Sequence, residues 1–271
     1  MPDPLSAYQS EPPHQADRRL LVAGNWKMNG HIDALTTIEQ IASTAMATAG
    51  NVDTVLFPPS TLLAQAKDLL RPYFLRLGGQ DCSSEATGAY TGEISAKMLA
   101  DVGASFVLVG HSERRIRHGE TDDSARKKAL VAIDAGLTPI ICIGESSRER
   151  TEGRTMEVLS NQIMQAIPRT VTASSFAVAY EPLWAIGSGQ PADDRDIEGA
   201  HSHIRTELLG QLGMDGHKVR IVYGGSVKPE NCGAILALPD VDGLLVGGAS
   251  LNAEQFLSIT AIAAAIAGRK G

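Results

Sequence analysis

Residues 106–115, FVLVGHSERR, set four apolar residues in a row before a glycine, a histidine and a serine that opens a charged helical turn. A run of Phe, Val, Leu and Val without polar alternation suits a strand buried on both faces, a condition met in parallel sheets covered by helices. The plan recurs at Leu20–Gly24, Thr54–Phe57, Leu75–Gly79, Phe106–Gly110, Pro139–Ile143, Phe176–Tyr180, Arg220–Tyr223 and Gly243–Val246. Leu75–Gly79 is the weakest of these, because Arg76 interrupts it. Between the runs, apolar residues return at helical spacing: Leu35, Ile38 and Ile41, then Ala129, Leu130 and Ile133, then Val158, Ile163 and Ile167, then Ile235 and Leu238. A closing helix is predicted over Ala253–Ala267. Eight strand–helix units in about 250 residues predict one α/β domain over residues 20–271, a (β/α)8 barrel with a closed, parallel, eight-stranded sheet. A doubly wound open sheet uses the same local units; count and length favour the barrel.

Composition narrows the function classes. The 271 residues are 43% hydrophobic and 20% charged, as in globular proteins with a sizeable core. A net charge of −7 removes the electrostatic basis for nucleic-acid binding. Cys82, Cys142 and Cys232 are far apart and odd in number, which argues against zinc and against a disulfide framework and fits a reducing cytoplasm. The stretch before residue 19 carries four prolines and no apolar segment of the kind a signal peptide needs, so residues 1–19 are predicted to be a flexible tail. ITAIAAAIA at 259–267 is too short to span a bilayer. The expectation is a cytoplasmic protein that binds neither membrane nor nucleic acid.

In a barrel the residues that follow each strand gather at one face, where such folds do their chemistry. Strand one leads into Asn25 and Lys27, strand four into His111, and strand six into Glu181. Strand seven leads into Gly224, Gly225 and Ser226, and strand eight into Gly247 and Gly248. Glu181 is the lone charge of AYEPLWAIGSGQPA, residues 179–192. It could act as a general base if burial lifts its pKa from about 4.3; for an isolated glutamate, an ion pair with a nearby Arg or Lys is commoner. His111 precedes a helix N-terminus, which disfavours imidazolium, so a neutral ring could donate to a substrate oxygen or simply be hydrogen-bonded in place. Lys27 could attract a dianion or be solvated, and Asn25 could donate its amide to a substrate or cap its turn. The glycine-rich turns YGGSVKP (223–229) and VGGAS (246–250) offer backbone amides to a phosphate.

Other motifs fail on geometry. His201 and His203 lie two apart on a helix and do not share a face, so they are no metal pair. Gly187-x-Gly189-x-x-Ala192 imitates a dinucleotide fingerprint, but it begins six residues past Glu181 and Pro191 interrupts it. YGGSVK is not the Gly-x-Ser-x-Gly of a nucleophile elbow. No metal or organic cofactor is expected.

With these residues assembled, the chain resembles the triosephosphate isomerase family. The matching stretches are GNWKMN (24–29), GAYTGEIS (88–95), GHSERR (110–115), ICIGE (141–145), AYEPLWAIGSG (179–189), YGGSV (223–227) and VDGLLVGGASL (241–251). The resemblance implies a TIM barrel with Asn25, Lys27, His111 and Glu181 at the active site and Glu113 partnering the lysine. It implies Gly187, Ser226, Gly247 and Gly248 as a phosphate clamp, residues 182–192 as a mobile lid, and a homodimer in which Thr91 reaches into the partner's site. The activity implied is interconversion of dihydroxyacetone phosphate and D-glyceraldehyde 3-phosphate, without a cofactor. A four-carbon ketose phosphate isomerase on the same scaffold, or a non-catalytic barrel that binds phosphorylated metabolites, are the alternatives. The chain departs from the family pattern at Ser188, where threonine is usual, at Gln190-Pro191, where lysine-threonine is common, at His118, where an aromatic is usual, and before residue 19.

Overall fold

The computed structural model describes residues 18–45, 48, 50–71, 73–186 and 192–270. Eight strands close into a barrel in chain order: β1 Leu20–Asn25, β2 Val52–Phe57, β3 Arg76–Gly79, β4 Ala104–Val109, β5 Thr138–Ile143, β6 Ala177–Tyr180, β7 Arg220–Tyr223 and β8 Gly243–Val246. Every neighbouring pair is parallel, and β8 returns to β1 with Leu21 opposite Gly243. All eight expected runs lie on these strands, with edges differing by a residue or two. The closed barrel excludes the competing open sheet, because both edges of the sheet are paired.

The missing polar alternation has a direct explanation. On β4, Phe106 and Leu108 point into the barrel, where they join Leu21, Val55, Ile140 and Val222. Val107 and Val109 point outward into the layer beneath the helices. Both faces are dry, so both take apolar side chains. Gly78 on β3 leaves room for this packing, since a Cβ there would sit 2.2 Å from the Phe57 ring. Arg76 does not break the strand: it is its first residue, exposed, with its guanidinium 3.6 Å from Asp53.

The helices form the outer ring: α1 Leu35–Ala45, α2 Ser60–Leu69, α3 Ala96–Asp101, α4 Ser112–His118, α5 Asp122–Asp134, α6 Ser147–Thr151, α7 Thr155–Ala166, α8 Asp194–Leu212, α9 Pro229–Ala237 and α10 Ala253–Lys270. Ile38 and Ile41 on α1 and Val158 and Ile163 on α7 are buried as their spacing requires. Two faces are rotated from expectation. On α5 the buried positions are Ala125, Lys128, Ala129 and Ala132, leaving Leu130 and Ile133 only half-covered. A lysine takes a core-facing place there because its ammonium meets Asp81 at 2.8 Å and Glu120 at 2.5 Å. On α9, Leu236 is buried in place of Leu238, which lies past the helix end. The last helix runs three residues beyond Ala267.

At the base of the barrel, the fully buried Asp242 accepts from Arg18 and Arg205, each at 2.8 Å. Residues 1–17 of the expected tail lie outside the described residues, while Arg18 is held by this pairing. The three cysteines are unpaired and buried. Among the described residues, no helix is long and apolar enough to cross a membrane.

Candidate active site

The carboxyl ends of the strands bring the expected residues together. Asn25 closes β1, and its Oδ1 accepts the backbone N–H of Lys27 at 2.9 Å, stabilising the left-handed turn at Lys27 (φ 56°). That turn directs the lysine toward α4, where its Nζ lies 2.6 Å from Glu113 Oε1. The pair is 30% and 44% exposed, so water screens it and its net contribution to stability is small.

β4 leads into Gly110 and His111, and His111 caps α4. Its Nδ1 accepts the N–H of Glu113 at 3.2 Å, so Nδ1 carries no proton and the ring's hydrogen sits on Nε2. Nε2 faces Glu181 Oε1 at 3.0 Å and Asn25 Nδ2 at 3.3 Å. The other oxygen of Glu181 accepts the Ser112 N–H at 3.0 Å. Glu181 is buried, and burial alone raises a carboxyl pKa. The His111 ring, the Ser112 N–H and the Lys27 cation outweigh burial and hold it below the usual carboxylate range. For His111, burial pulls down and the adjacent carboxylate pulls up, with the upward pull dominant in this arrangement. A second proton at Nδ1 would have to displace the Glu113 N–H, which favours the neutral ring.

Opposite these groups, the turns after β7 and β8 bring Ser226, Gly247 and Gly248 to the wall of the same cavity, of about 780 Å³. Gly225 must lack a side chain, because a Cβ there would lie 2.0 Å from the Tyr223 hydroxyl. That hydroxyl accepts the N–H of Ala192 at 3.3 Å, and Ser226 Oγ donates to the Ala185 carbonyl at 2.8 Å. The segment after Glu181 is thus tied down at both ends. Gly187, Ser188, Gln190 and Pro191 lie outside the described residues. Thr91 is exposed on the loop between β3 and α3 and does not line this cavity.

Several contributors were not singled out from sequence. Glu145, just past β5, is fully buried and accepts from Tyr180 Oη at 3.1 Å and from Trp184 Nε1 at 2.8 Å. The Arg150 guanidinium lies 3.9 Å above the Trp184 ring. A signal existed in ICIGE, which ends an apolar strand on a lone carboxylate as AYE does. The Ser112 N–H had no sequence signal, since any residue supplies one. His201 and His203 part as their spacing requires. His201 is buried with Nδ1 3.0 Å from the Asp240 carbonyl, whereas His203 meets Ser160 at 2.8 Å on the outer face.

Comparison with known proteins gives matches along most of the chain. A family model described as "Triosephosphate isomerase" matches residues 20–263. A triosephosphate isomerase of Chelativorans sp. is 49% identical over 244 residues, which is 90% of this chain and 96% of that protein. One from Rhizobium etli is 48% identical over 90% of this chain and 95% of its own length. The crystal structure of triosephosphate isomerase from Bartonella henselae superposes with a TM-score of 0.84 at 39% identity, covering 90% of this chain and 98% of that one.

Proposed function

The chain belongs to the triosephosphate isomerase family, and on that premise we propose that Glu181, His111, Asn25 and Lys27 interconvert dihydroxyacetone phosphate and D-glyceraldehyde 3-phosphate. The observation that carries the assignment is the meeting of Glu181 Oε1, His111 Nε2 and Asn25 Nδ2 within 3.3 Å on one wall of the cavity. Glycine-rich turns form the wall opposite.

In the position seen here Glu181 is ionised on the cavity wall, with its two carboxylate oxygens bonded to Ser112 and His111. To reach a substrate carbon it must leave both. It then loses two of the influences that lower its pKa while remaining buried, so its basicity rises as it meets the proton it removes. Its departure also frees the Nε2–H of His111, which together with the Asn25 amide can donate to the carbonyl oxygen as that oxygen gains charge. One such donor is typically worth roughly 3 kcal/mol in the transition state. A neutral imidazole in this role is the arrangement for which triosephosphate isomerase is itself a standard illustration. Glu181 takes the proton from the carbon beside the carbonyl, the enediolate forms, and the same carboxyl returns the proton to the neighbouring carbon. Lys27 adds positive charge to the site. Gly187, Ser226, Gly247 and Gly248 supply the phosphate clamp, and residues 182–192 the lid that excludes water from an intermediate prone to lose phosphate.

The proposal extends to a homodimer in the cytoplasm, with Thr91 entering the partner's site, and no nucleic-acid partner. Support for the dimer comes from large apolar side chains left uncovered beside the site: Met28, 96% exposed, follows Lys27, and Ile116, 70% exposed, lies on the helix that His111 caps. Net charge supports the last point.

A coupled assay on glyceraldehyde 3-phosphate tests the activity. Glu181→Gln is expected to lower kcat by about 10²–10⁴-fold in a folded protein; near-normal turnover would remove Glu181 as the base. Comparing kcat/KM on a four-carbon ketose phosphate tests the substrate.

A further inference from the structure

Glu181 stands on a short piece of backbone that is itself held by one side chain from the outer ring. The Glu181 N–H donates to the Ile143 carbonyl at 2.7 Å, and the Leu183 N–H donates to the Glu145 carbonyl at 3.0 Å. Residues 143 and 145 thus direct their carbonyls toward the chain leaving β6. Backbone groups alternate sides along an extended strand, so Gly144 presents its N–H and C=O the other way. On that side β4 has already ended at Val109, and no strand remains to pair with.

Gln162 fills this vacancy. From the core-facing side of α7, one turn after Val158, its Oε1 accepts the Gly144 N–H at 2.7 Å and its Nε2 donates to the Gly144 carbonyl at 3.1 Å. A primary amide thereby reproduces both bonds that a neighbouring strand would have made. Gly144 also sits tightly under the glutamate: a Cβ there would lie 1.9 Å from the Glu181 carbonyl oxygen. Any movement of residue 144 is therefore passed to the backbone of Glu181.

We infer that Gln162 is a positioning residue for the base: its amide clamps Gly144 and so fixes the backbone from which the Glu181 carboxylate swings to the substrate. Gln162 does not line the cavity, and its amide bonds to Gly144 rather than to the Glu181 carboxylate. The inference rests on Glu181 as the base. Removing the clamp should therefore affect proton transfer, which is sensitive to displacements of about 1 Å, and leave phosphate binding alone.

The test is steady-state kinetics on the full chain carrying Gln162→Leu or Gln162→Glu, beside Glu181→Gln, well below the measured melting temperature. Leucine removes both bonds at similar volume; glutamate keeps the acceptor but sets a carboxylate against the Gly144 carbonyl. Both are expected to lower kcat by about tenfold or more, with KM and the competitive inhibition constant of inorganic phosphate within about threefold of the parent. Near-parental kcat in either folded variant overturns the inference while Glu181→Gln stays inactive. A loss of rate that only follows the fraction unfolded also overturns it, since that marks a purely structural role. If one variant does not fold, the other decides. Turnover in Glu181→Gln would instead remove the base assignment, and the inference with it.

Discussion

His201 is a buried imidazole that the reaction does not use. One nitrogen is satisfied by the Asp240 carbonyl and the other, Nε2, has no partner among the described residues. Burial lowers its pKa from 6.5 to about 4. Between those values the unfolded chain binds one more proton than the folded one. The stability carried by the neutral ring is therefore complete above pH 6.5 and is lost as pH falls toward 4, about 3 kcal/mol in all. His201→Gln keeps a donor for Asp240 but never ionises. Thermal melts from pH 7 to 4 should show a shallower loss of Tm in that variant; an unchanged acid slope would refute the assignment. Glu181 and His111 show the opposite use of burial, in which two groups of the same pocket set each other's proton affinity through a bond that must break before either can act.

The elements at the carboxyl face depend on one buried acid. Glu145 receives both the Tyr180 hydroxyl and the Trp184 indole N–H, joining the end of β6 to the first turn of the lid. Replacing it with leucine strands the buried Tyr180 donor and frees the half-buried indole, at a cost of about 2–3 kcal/mol. Differential scanning calorimetry on Glu145→Leu should show Tm lowered by several degrees, and kcat should fall because the lid loses its anchor. A Tm equal to the parent's would mean the two donors find other partners. At this scale the sequence was largely legible: strand runs and strand-end residues followed from apolar patterning alone. The rotated face of α5 was not, because Lys128 turns inward only through Asp81 and Glu120, and a hydropathy pattern treats any lysine as solvent-facing.

For the whole molecule, the proposed dimer makes the uncovered apolar surface near the site a matter of activity as well as assembly. Ile116→Asp places a charge on α4 where a partner would cover it, and desolvating that charge would oppose association. Sedimentation velocity is expected to show a monomer with strongly reduced turnover. A variant that still dimerises with full activity would put the interface elsewhere.

The amino-acid sequence by itself determined the barrel, since eight unalternating runs demand a sheet dry on both faces. It also brought Asn25, Lys27, His111, Glu181, Gly224, Gly225, Ser226, Gly247 and Gly248 to one face, because residues that follow parallel strands gather at the same end of a barrel whatever their neighbours are. Only the tertiary structure decided how those groups are held. Ser112 meets Glu181 across 69 positions of chain, Gln162 meets Gly144 across 18, and Arg18 meets Asp242 across 224. Apolar periodicity reports the average environment of one element. A hydrogen bond or ion pair instead depends on how two elements are placed relative to one another, and that placement exists only once the barrel has closed.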